Sequence, residues 1–361
     1  PDSEERSSVI SVSKIFNSIG SAVPEVLFLV VGLVIAAWVE NSSEPIDFLT
    51  SQKRKYLIMA IVTVGIGSIL YARACTGVKE RVKMPVRKRQ AGEPSQLSRV
   101  FKCKPLVLVL LMGVLSSGRY MVSAAAIHVA RYSFYIGPDL ATLATEAERI
   151  AAIESSISAV KTVFQISSIV GLFGATLFMP KLMKKFDYKK LVIVSCLAGF
   201  VASIITTVVG WFTMNLYACI PFIVISCIPL GVINTVSLAM IGDCLDYMEL
   251  KTGFRDNALG AACQGFINKI GNAFATSGIV IMYMVIGLDP AQMLSSTAVV
   301  SALDMPPEMR FAMFSLVSIV PGISMLLCAI PMFFYKIAGQ EKKNIIEALA
   351  KKRETSGVTV E

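Results

Sequence analysis

Three carboxylates at the end of one apolar segment are the first residues of this chain that suggest chemistry. Asp243, Asp246 and Glu249 repeat every three residues, so a helix that continued through them would carry all three along one side. A row of this kind can bind basic side chains of another helix bundle and release them again. That is the behaviour required of a gate between two rocking bundles.

A second polar group lies in the next apolar segment. Gln264 and Asn268 are four residues apart and share one helix face, whereas Lys269 projects in a nearby direction. Amides and an ammonium group facing a cavity would give fixed donors and acceptors to a hydroxyl-rich ligand. Isolated amides in membrane helices often only hold helices together, but that role does not require a full charge.

Arg119 is a third candidate, near the centre of another apolar segment. A guanidinium group keeps its proton inside a protein and binds oxygen atoms through a planar fork. We therefore expect Arg119 to face the interior of a helix bundle, either towards a substrate or in a structural ion pair.

The segments that must position these residues are typical of membrane helices. The chain has 361 residues, of which 55% are apolar and 16% charged, and eight stretches are long enough to cross a bilayer as helices. They lie at about 19–39, 56–74, 106–127, 160–179, 191–211, 216–240, 259–286 and 311–335. The sequence predicts an all-α integral membrane protein with eight transmembrane helices.

The net charge of +9 is a signal of topology. Basic residues concentrate in the loop at 75–104, between Lys181 and Lys190, and in the tail, and eight crossings put all three regions on one face. The positive-inside rule assigns that face to the cytoplasm of a plasma or inner membrane. The short basic run Lys53-Arg54-Lys55 falls on the opposite face and does not follow this rule. A nucleic-acid partner is not expected.

Cofactor chemistry and catalysis are not expected either. The eight cysteines have no paired spacing, and the single histidine, His128, has no nearby Cys or His with which to share a metal. The sequence contains no nucleotide-binding loop and no nucleophile–base spacing. The protein is therefore predicted not to be an enzyme, and any active transport would use an ion gradient.

The chain divides into four parts by composition. Residues 1–74 hold two helices, 75–104 form a basic cytoplasmic loop, 105–336 form a six-helix bundle, and 337–361 form a cytoplasmic tail. Many transporters consist of two six-helix halves, so we expect four further helices before Pro1. Ile345, Ile346 and Leu349 recur at helical spacing in the tail, which predicts an interfacial helix lying on anionic lipid.

The block from Asp243 to Arg255, followed by Gln264 and by the run from Asn268 to Ala273, resembles the glycoside–pentoside–hexuronide:cation symporters. Shorter fragments agree along the whole chain, including Glu4-Glu-Arg6 and the run from Met179 to Lys185. The resemblance implies the major-facilitator fold, with the eight helices corresponding to helices five to twelve of twelve.

The resemblance also implies residue roles on the sugar path. Lys269 matches an essential lysine of helix eleven and Gln264 a sugar-contacting glutamine, while Lys14 replaces a sugar-binding arginine and loses its fork geometry. Asn234 stands where helix ten carries an aromatic residue, and Gly265 replaces a hydroxyl-bearing residue. These two departures suggest a different substrate, such as another glycoside or a uronate, and an anionic sugar would also suit Arg119.

The same resemblance implies an ionic lock on the inner side. The matching residues are Arg6, Lys181, Asp243, Asp246 and Arg255, and Glu249 extends the row.

The expected function is that of a Na⁺- or H⁺-coupled sugar symporter that works by alternating access, as a monomer among membrane lipids. The coupling cation would bind mainly on helices that are not in this chain. One alternative keeps the fold and carries lysolipid or drug-like cargo. The other is a non-transporting membrane sensor or scaffold that recruits partners through the basic loop and tail.

Overall fold

A computed structural model describes residues 3–40, 48–77, 96–144, 146–252, 257–287 and 302–355 of the chain. Within these ranges the backbone is helical or turns between helices, and they contain no strand. The all-α membrane architecture predicted from the sequence is confirmed.

The chain forms two compact bodies, which are residues 16–94 and residues 1–15 together with 95–361. Two long helices come first, α1 (Ser3–Glu40) and α2 (Phe48–Gly77). In the smaller body many apolar side chains of α2 are exposed, and Ile61 and Val64 are each about two-thirds exposed (64% and 66%). The Arg54 guanidinium lies 4.3 Å from the centre of the Trp38 ring, a cation–π contact within that body.

The larger body contains the remaining helices. They are α3 (Gln96–Lys102), α4 (Lys104–Leu115), α5 (Met121–Ala124), α6 (Ala126–Tyr132), α7 (Glu146–Lys185), α8 (Tyr188–Thr213), α9 (Leu216–Thr252), α10 (Asn257–Ile286), α11 (Pro307–Ser315), α12 (Ile319–Phe334) and α13 (Gln340–Thr355). Short 3₁₀ turns lie at Ser116–Tyr120, Leu140–Thr142 and Ala302–Asp304.

The third predicted membrane segment is not one regular helix. The 3₁₀ turn Ser116–Tyr120 separates α4 from α5, and its tighter winding changes the backbone hydrogen bonding there. Ser324 on α12 serves both sides of this break, because its hydroxyl donates to the Leu115 carbonyl and accepts from the Gly118 N–H at 2.8 Å. The backbone groups at the break therefore find partners away from water, as a membrane requires.

Close helix contacts build the larger body around α9. This helix packs against both α7 and α8, and α12 packs against α8 and α4. A Cβ atom at Gly231 of α9 would lie 2.6 Å from the Leu172 carbonyl oxygen of α7, so glycine is required for this approach. Small residues at contacts are the usual means by which membrane helices pack closely.

Two buried apolar clusters fill the larger body. The first includes Leu106, Met240 and Met332, and the second includes Phe164 and Phe314. Along α10 and along the chain from α4 to α6, the residues of one cluster give way to those of the other near the middle of the membrane segment. The polar residues described below, among them Tyr120 and Asn268, lie at the level where one apolar cluster gives way to the other.

Seven helical segments of the described residues are long and apolar enough to cross a membrane. They are Lys53–Gly77, Lys104–Ala124, Ser155–Lys185, Tyr188–Thr213, Leu216–Thr252, Ala258–Ile286 and Pro307–Phe334. The eighth predicted segment, at 19–39, falls on α1, where several side chains lie outside the described residues. That part of the prediction stays untested.

The tail forms the predicted amphipathic helix, but its apolar face does not lie on lipid. Ile345 and Leu349 of α13 are buried, 7% and 5% exposed, and Ile345 belongs to the first apolar cluster. Since α13 packs against α9, the apolar stripe covers the end of the bundle. The interfacial placement expected for this stripe is therefore wrong.

Candidate functional site

The Tyr120 hydroxyl is the centre of a polar network between the two apolar clusters. It accepts a hydrogen bond from an Arg119 guanidinium nitrogen at 2.9 Å. It lies 3.3 Å from the Asn268 side-chain oxygen and 3.5 Å from that of Asn234, and can donate to either. The 3₁₀ turn, α9 and α10 thus meet at one hydroxyl group.

The network continues along α10 and back to α9. The Gln264 amide nitrogen donates to the Asn268 oxygen at 3.3 Å, and the Gln264 oxygen accepts from the Ser237 hydroxyl at 3.2 Å. Gln264 and Ser237 are buried, whereas Tyr120, Asn234 and Asn268 are only half-buried. One end of the network is therefore buried inside the protein, whereas the other end is partly exposed.

Arg119 lies on the buried side of this network. Its side chain is 3% exposed, and its other terminal nitrogen donates to Ser116. Among the described residues its Nε–H has no hydrogen-bond partner and its charge has no carboxylate in ion-pair contact. A guanidinium group held at membrane depth without a counter-ion is costly, which marks this position as more than a helix contact.

Glycine lets Tyr120 take its place against α10. A Cβ atom at Gly271 would lie 2.7 Å from the edge of the Tyr120 ring, closer than real Cβ contacts allow. The ring consequently rests directly on the backbone of α10, one turn from Asn268. This close contact aims the hydroxyl group at the amides.

Beside the network, α10 presents an exposed polar stripe. Lys269, Asn272 and Thr276 are all exposed and recur at intervals of three and four residues, so they share one side of the helix. The neighbouring exposed side is apolar and includes Phe274 and Ile281 (57% and 59% exposed). Hydrocarbon suits the second side but not the first, which needs water or polar partners.

The arrangement offers hydrogen-bonding groups at the depth at which the apolar clusters meet. Amide, hydroxyl and ammonium groups from α9, α10 and the 3₁₀ turn can donate and accept in fixed directions because their neighbours hold them. A neutral or anionic polyhydroxylated molecule is the kind of ligand that such groups bind.

The acidic row lies on one continuous helix. Helix α9 extends to Thr252, and Asp243 and Asp246 are buried (5% and 7% exposed), while Glu249 is half-buried. Burial of two carboxylates three residues apart requires compensating positive charge.

Lys342 of α13 supplies a cation to this row. Its Nζ lies 2.8 Å from an Asp243 carboxylate oxygen and 4.0 Å from the centre of the Tyr188 ring. Burial alone would lower the pKa of Lys342, but the Asp243 carboxylate and Tyr188 raise it above its usual value overall. The ammonium group thus stays charged in the pair at neutral pH.

Four further residues are predicted to belong to the gate or to the sugar path. Lys181 on α7 is exposed. The side chains of Arg6 and Lys14, both on α1, and the whole of Arg255 lie outside the described residues. The roles predicted for these four residues therefore remain predictions.

Sequence reasoning missed four contributors: Ser116, Tyr120, Ser237 and Lys342. Tyr120 had a signal, because it directly follows the buried Arg119. Lys342 had none, since it is one of several lysines in a basic tail and only the docking of α13 selects it.

A separate hydrogen-bonded pair lies outside the network. The His128 Nδ1 is 2.6 Å from the Tyr283 hydroxyl oxygen, and the two rings meet edge to face. Burial, together with the nearby Arg131 charge, lowers the pKa of His128 below its ordinary 6.5. Within the described part of the chain, no three His, Cys, Asp or Glu residues group as metal ligands would.

Comparison with known proteins adds two findings. The family described as MFS/sugar transport protein matches residues 1–139 and 153–339. A lactose permease of Lactobacillus delbrueckii subsp. bulgaricus is 25% identical over 350 residues, which cover 95% of this chain and 49% of that permease. The chain thus spans about half the length of this curated relative.

Proposed function

The chain belongs to the MFS/sugar transport protein family, and we propose that it forms the sugar path and the inner gate of a cation-coupled sugar symporter. The observation that carries this proposal is the network around Tyr120. It joins Asn234, Gln264 and Asn268 at mid-membrane depth and leaves three of its members half-open.

A sugar is a suitable ligand for such a network because its hydroxyl groups both donate and accept. Asn234 and Asn268 each retain an amide N–H₂ group that can donate to a sugar hydroxyl. Arg119 is too deeply buried to be the principal contact, so its part is to hold and polarise the Tyr120 hydroxyl. A lactose-like glycoside is the first substrate to test, since the relative is a lactose permease.

Lys269 provides the charge on the exposed polar stripe. Its ammonium group, with Asn272 and Thr276, would line the aqueous route along which the sugar reaches the network. Lys14 would line the same route from α1. The coupling ion, Na⁺ or H⁺, would bind mainly to residues outside this chain.

The acidic row would close the route on the inner side. In the proposed cycle, Asp243 and Asp246 bind basic groups that include Arg6 and Lys181 when the gate shuts, with Glu249 and Arg255 at its edge. The Lys342 ammonium group would stay paired with Asp243 when the gate opens. The charge of this buried carboxylate would therefore remain compensated throughout the cycle.

Uptake in proteoliposomes tests the proposal, with the purified symporter that contains this chain together with the helices that bind the coupling ion. Radiolabelled lactose should accumulate when a Na⁺ or proton gradient is imposed, and Lys269→Ala should abolish accumulation while leaving membrane insertion intact. Lys190→Ala serves as the control, because Lys190 is also an exposed lysine but lies away from α10. Gradient-driven uptake that Lys269→Ala leaves unchanged would remove Lys269 from the mechanism, and no uptake of any glycoside tested would overturn the proposal.

A further inference from the structure

A cavity separate from the polar network opens at the end of the larger body that carries α13. It encloses about 570 Å³ and lies among α3, α4, α9, α12 and α13. Its lining includes Lys104, Tyr247, Phe334 and Lys336. None of its lining residues belongs to the proposed sugar path.

The cavity lies at the edge of the membrane. Lys104 begins one membrane-spanning segment, and Phe334 ends another, with Lys336 two residues beyond. Lysine and aromatic side chains at the ends of spans are typical of the depth of lipid head groups. A molecule in this cavity would thus have its polar part at the head-group level.

Positive charge predominates in the polar wall. Lys104 and Lys336 are both exposed, and neither forms an ion pair with a carboxylate of the described residues. The Lys251 ammonium group lies 4.6 Å from the centre of the Tyr247 ring and adds a third cation beside the lining. Glu341 is the single acidic residue among the described lining residues, so the wall keeps a net positive charge.

Most of the remaining lining is apolar. Val107 and Leu108 on α4 are half-buried and face the cavity, and Phe101 and Phe334 project from its edges (68% and 66% exposed). Two large exposed aromatic side chains beside two free ammonium groups match a ligand that has both an anionic head and hydrocarbon chains.

We propose that this cavity is a binding site for an anionic phospholipid. Lys104 and Lys336 bind the phosphate group, the Tyr247 hydroxyl contributes a hydrogen bond, and Phe101, Val107 and Leu108 pack against the acyl chains. The volume is of the size that proteins use for small ligands, and it holds a head group with the first part of its chains.

Native mass spectrometry of the detergent-solubilised protein measures this binding with phosphatidylglycerol as the probe. Each lysine near an anionic head group contributes enough attraction for about a fivefold effect on affinity, so Lys104→Gln with Lys336→Gln should weaken binding roughly 25-fold. Glu341→Gln should strengthen it. The matched control, Lys184→Gln with Lys190→Gln, removes two exposed lysines from the same basic end outside the cavity and should leave binding unchanged.

Three results would overturn the site: equal loss in the control variant, equally tight binding of phosphatidylcholine, or displacement of phosphatidylglycerol by millimolar inorganic phosphate. A second measurement does not depend on the lysine variants folding. Phe101→Trp, with Trp38 and Trp211 replaced by Phe, should be quenched more strongly by brominated phosphatidylglycerol than by brominated phosphatidylcholine. Equal quenching by the two lipids would also contradict the proposal.

Discussion

Tyr120 links more of the polar network than any charged residue does. Its hydroxyl meets Arg119, Asn234 and Asn268, which belong to three different elements. Hydrogen bonds between membrane helices contribute about 0.6–2 kcal/mol each, so this one group can set the relative positions of the amides on α9 and α10.

The first prediction concerns this hydroxyl group. Tyr120→Phe keeps the ring against Gly271 but leaves one guanidinium N–H without its acceptor, which costs about 1–3 kcal/mol. We expect the apparent affinity for the sugar to fall roughly tenfold with the protein still folded. Equilibrium binding of a labelled glycoside checks this, and Tyr217→Phe, at an exposed tyrosine away from the network, is the control. Equal affinity in Tyr120→Phe and Tyr217→Phe would contradict the role assigned to Tyr120.

The second prediction concerns pH and His128. The folded protein holds this imidazole neutral, because burial and Arg131 lower its pKa below 6.5, whereas the unfolded chain binds the proton more readily. Stability should thus decrease as pH falls below about 6.5, with a slope of up to about 1.4 kcal/mol per pH unit from this group. His128→Gln should flatten that decrease in thermal unfolding measured between pH 7.5 and pH 5. An unchanged acid slope in the variant would exclude His128 as its source.

At the scale of elements, α13 and α9 are joined by charge as well as by packing. The Lys342 ammonium group compensates the buried Asp243 carboxylate, and the Lys352 ammonium group donates to the Leu250 carbonyl at 3.0 Å. With Ile345 and Leu349 buried between them, these contacts fix the tail helix along the charged end of α9.

The third prediction tests this attachment. Lys342→Ala removes the ammonium group that lies beside the buried Asp243 carboxylate, so we expect a loss of about 3 kcal/mol in stability and faster hydrogen exchange in α13. Lys343→Ala, at the exposed neighbouring lysine, is the matched control and should change neither. Adding Asp243→Asn to Lys342→Ala should recover much of the stability. No recovery in the double variant would show that the pair does not fasten the helix.

Much of this architecture could be predicted from the sequence, for identifiable reasons. Hydropathy identifies α2, α7, α8, α9 and α10, because each of these helices contains a long and continuous apolar segment. The 3₁₀ turn before Met121 could not be found in this way, because it depends on Ser324, which is 206 residues from Gly118 in sequence. The docking of α13 likewise depends on a pairing between distant residues, and an amphipathic stripe alone does not distinguish a protein surface from a lipid surface.

The residues of the candidate site could likewise be predicted only in part from the sequence. Gln264, Asn268 and Arg119 could be singled out because polar groups are rare in apolar segments and their spacing gives a shared face. The part played by Tyr120 could not, since a tyrosine in a membrane helix is unremarkable until the elements that surround its hydroxyl are known.

At the scale of the whole molecule, the exposed surface of α10 has two chemically different sides. The polar side holds Lys269, Asn272 and Thr276, and the apolar side holds Phe274 and Ile281. In a bilayer the first requires an aqueous route and the second requires lipid. Under the proposed function, the polar side of α10 admits the sugar.

Cysteine accessibility measures directly whether the two sides of α10 face water and lipid. In a background in which the native cysteines are replaced, Asn272→Cys and Phe274→Cys would each be treated in membranes with a charged, membrane-impermeant thiol reagent. We predict that the cysteine at position 272 reacts, that a transported glycoside protects it, and that the cysteine at position 274 stays unreactive. Equal reactivity at the two positions, or an unreactive cysteine at position 272, would contradict an aqueous sugar path along α10.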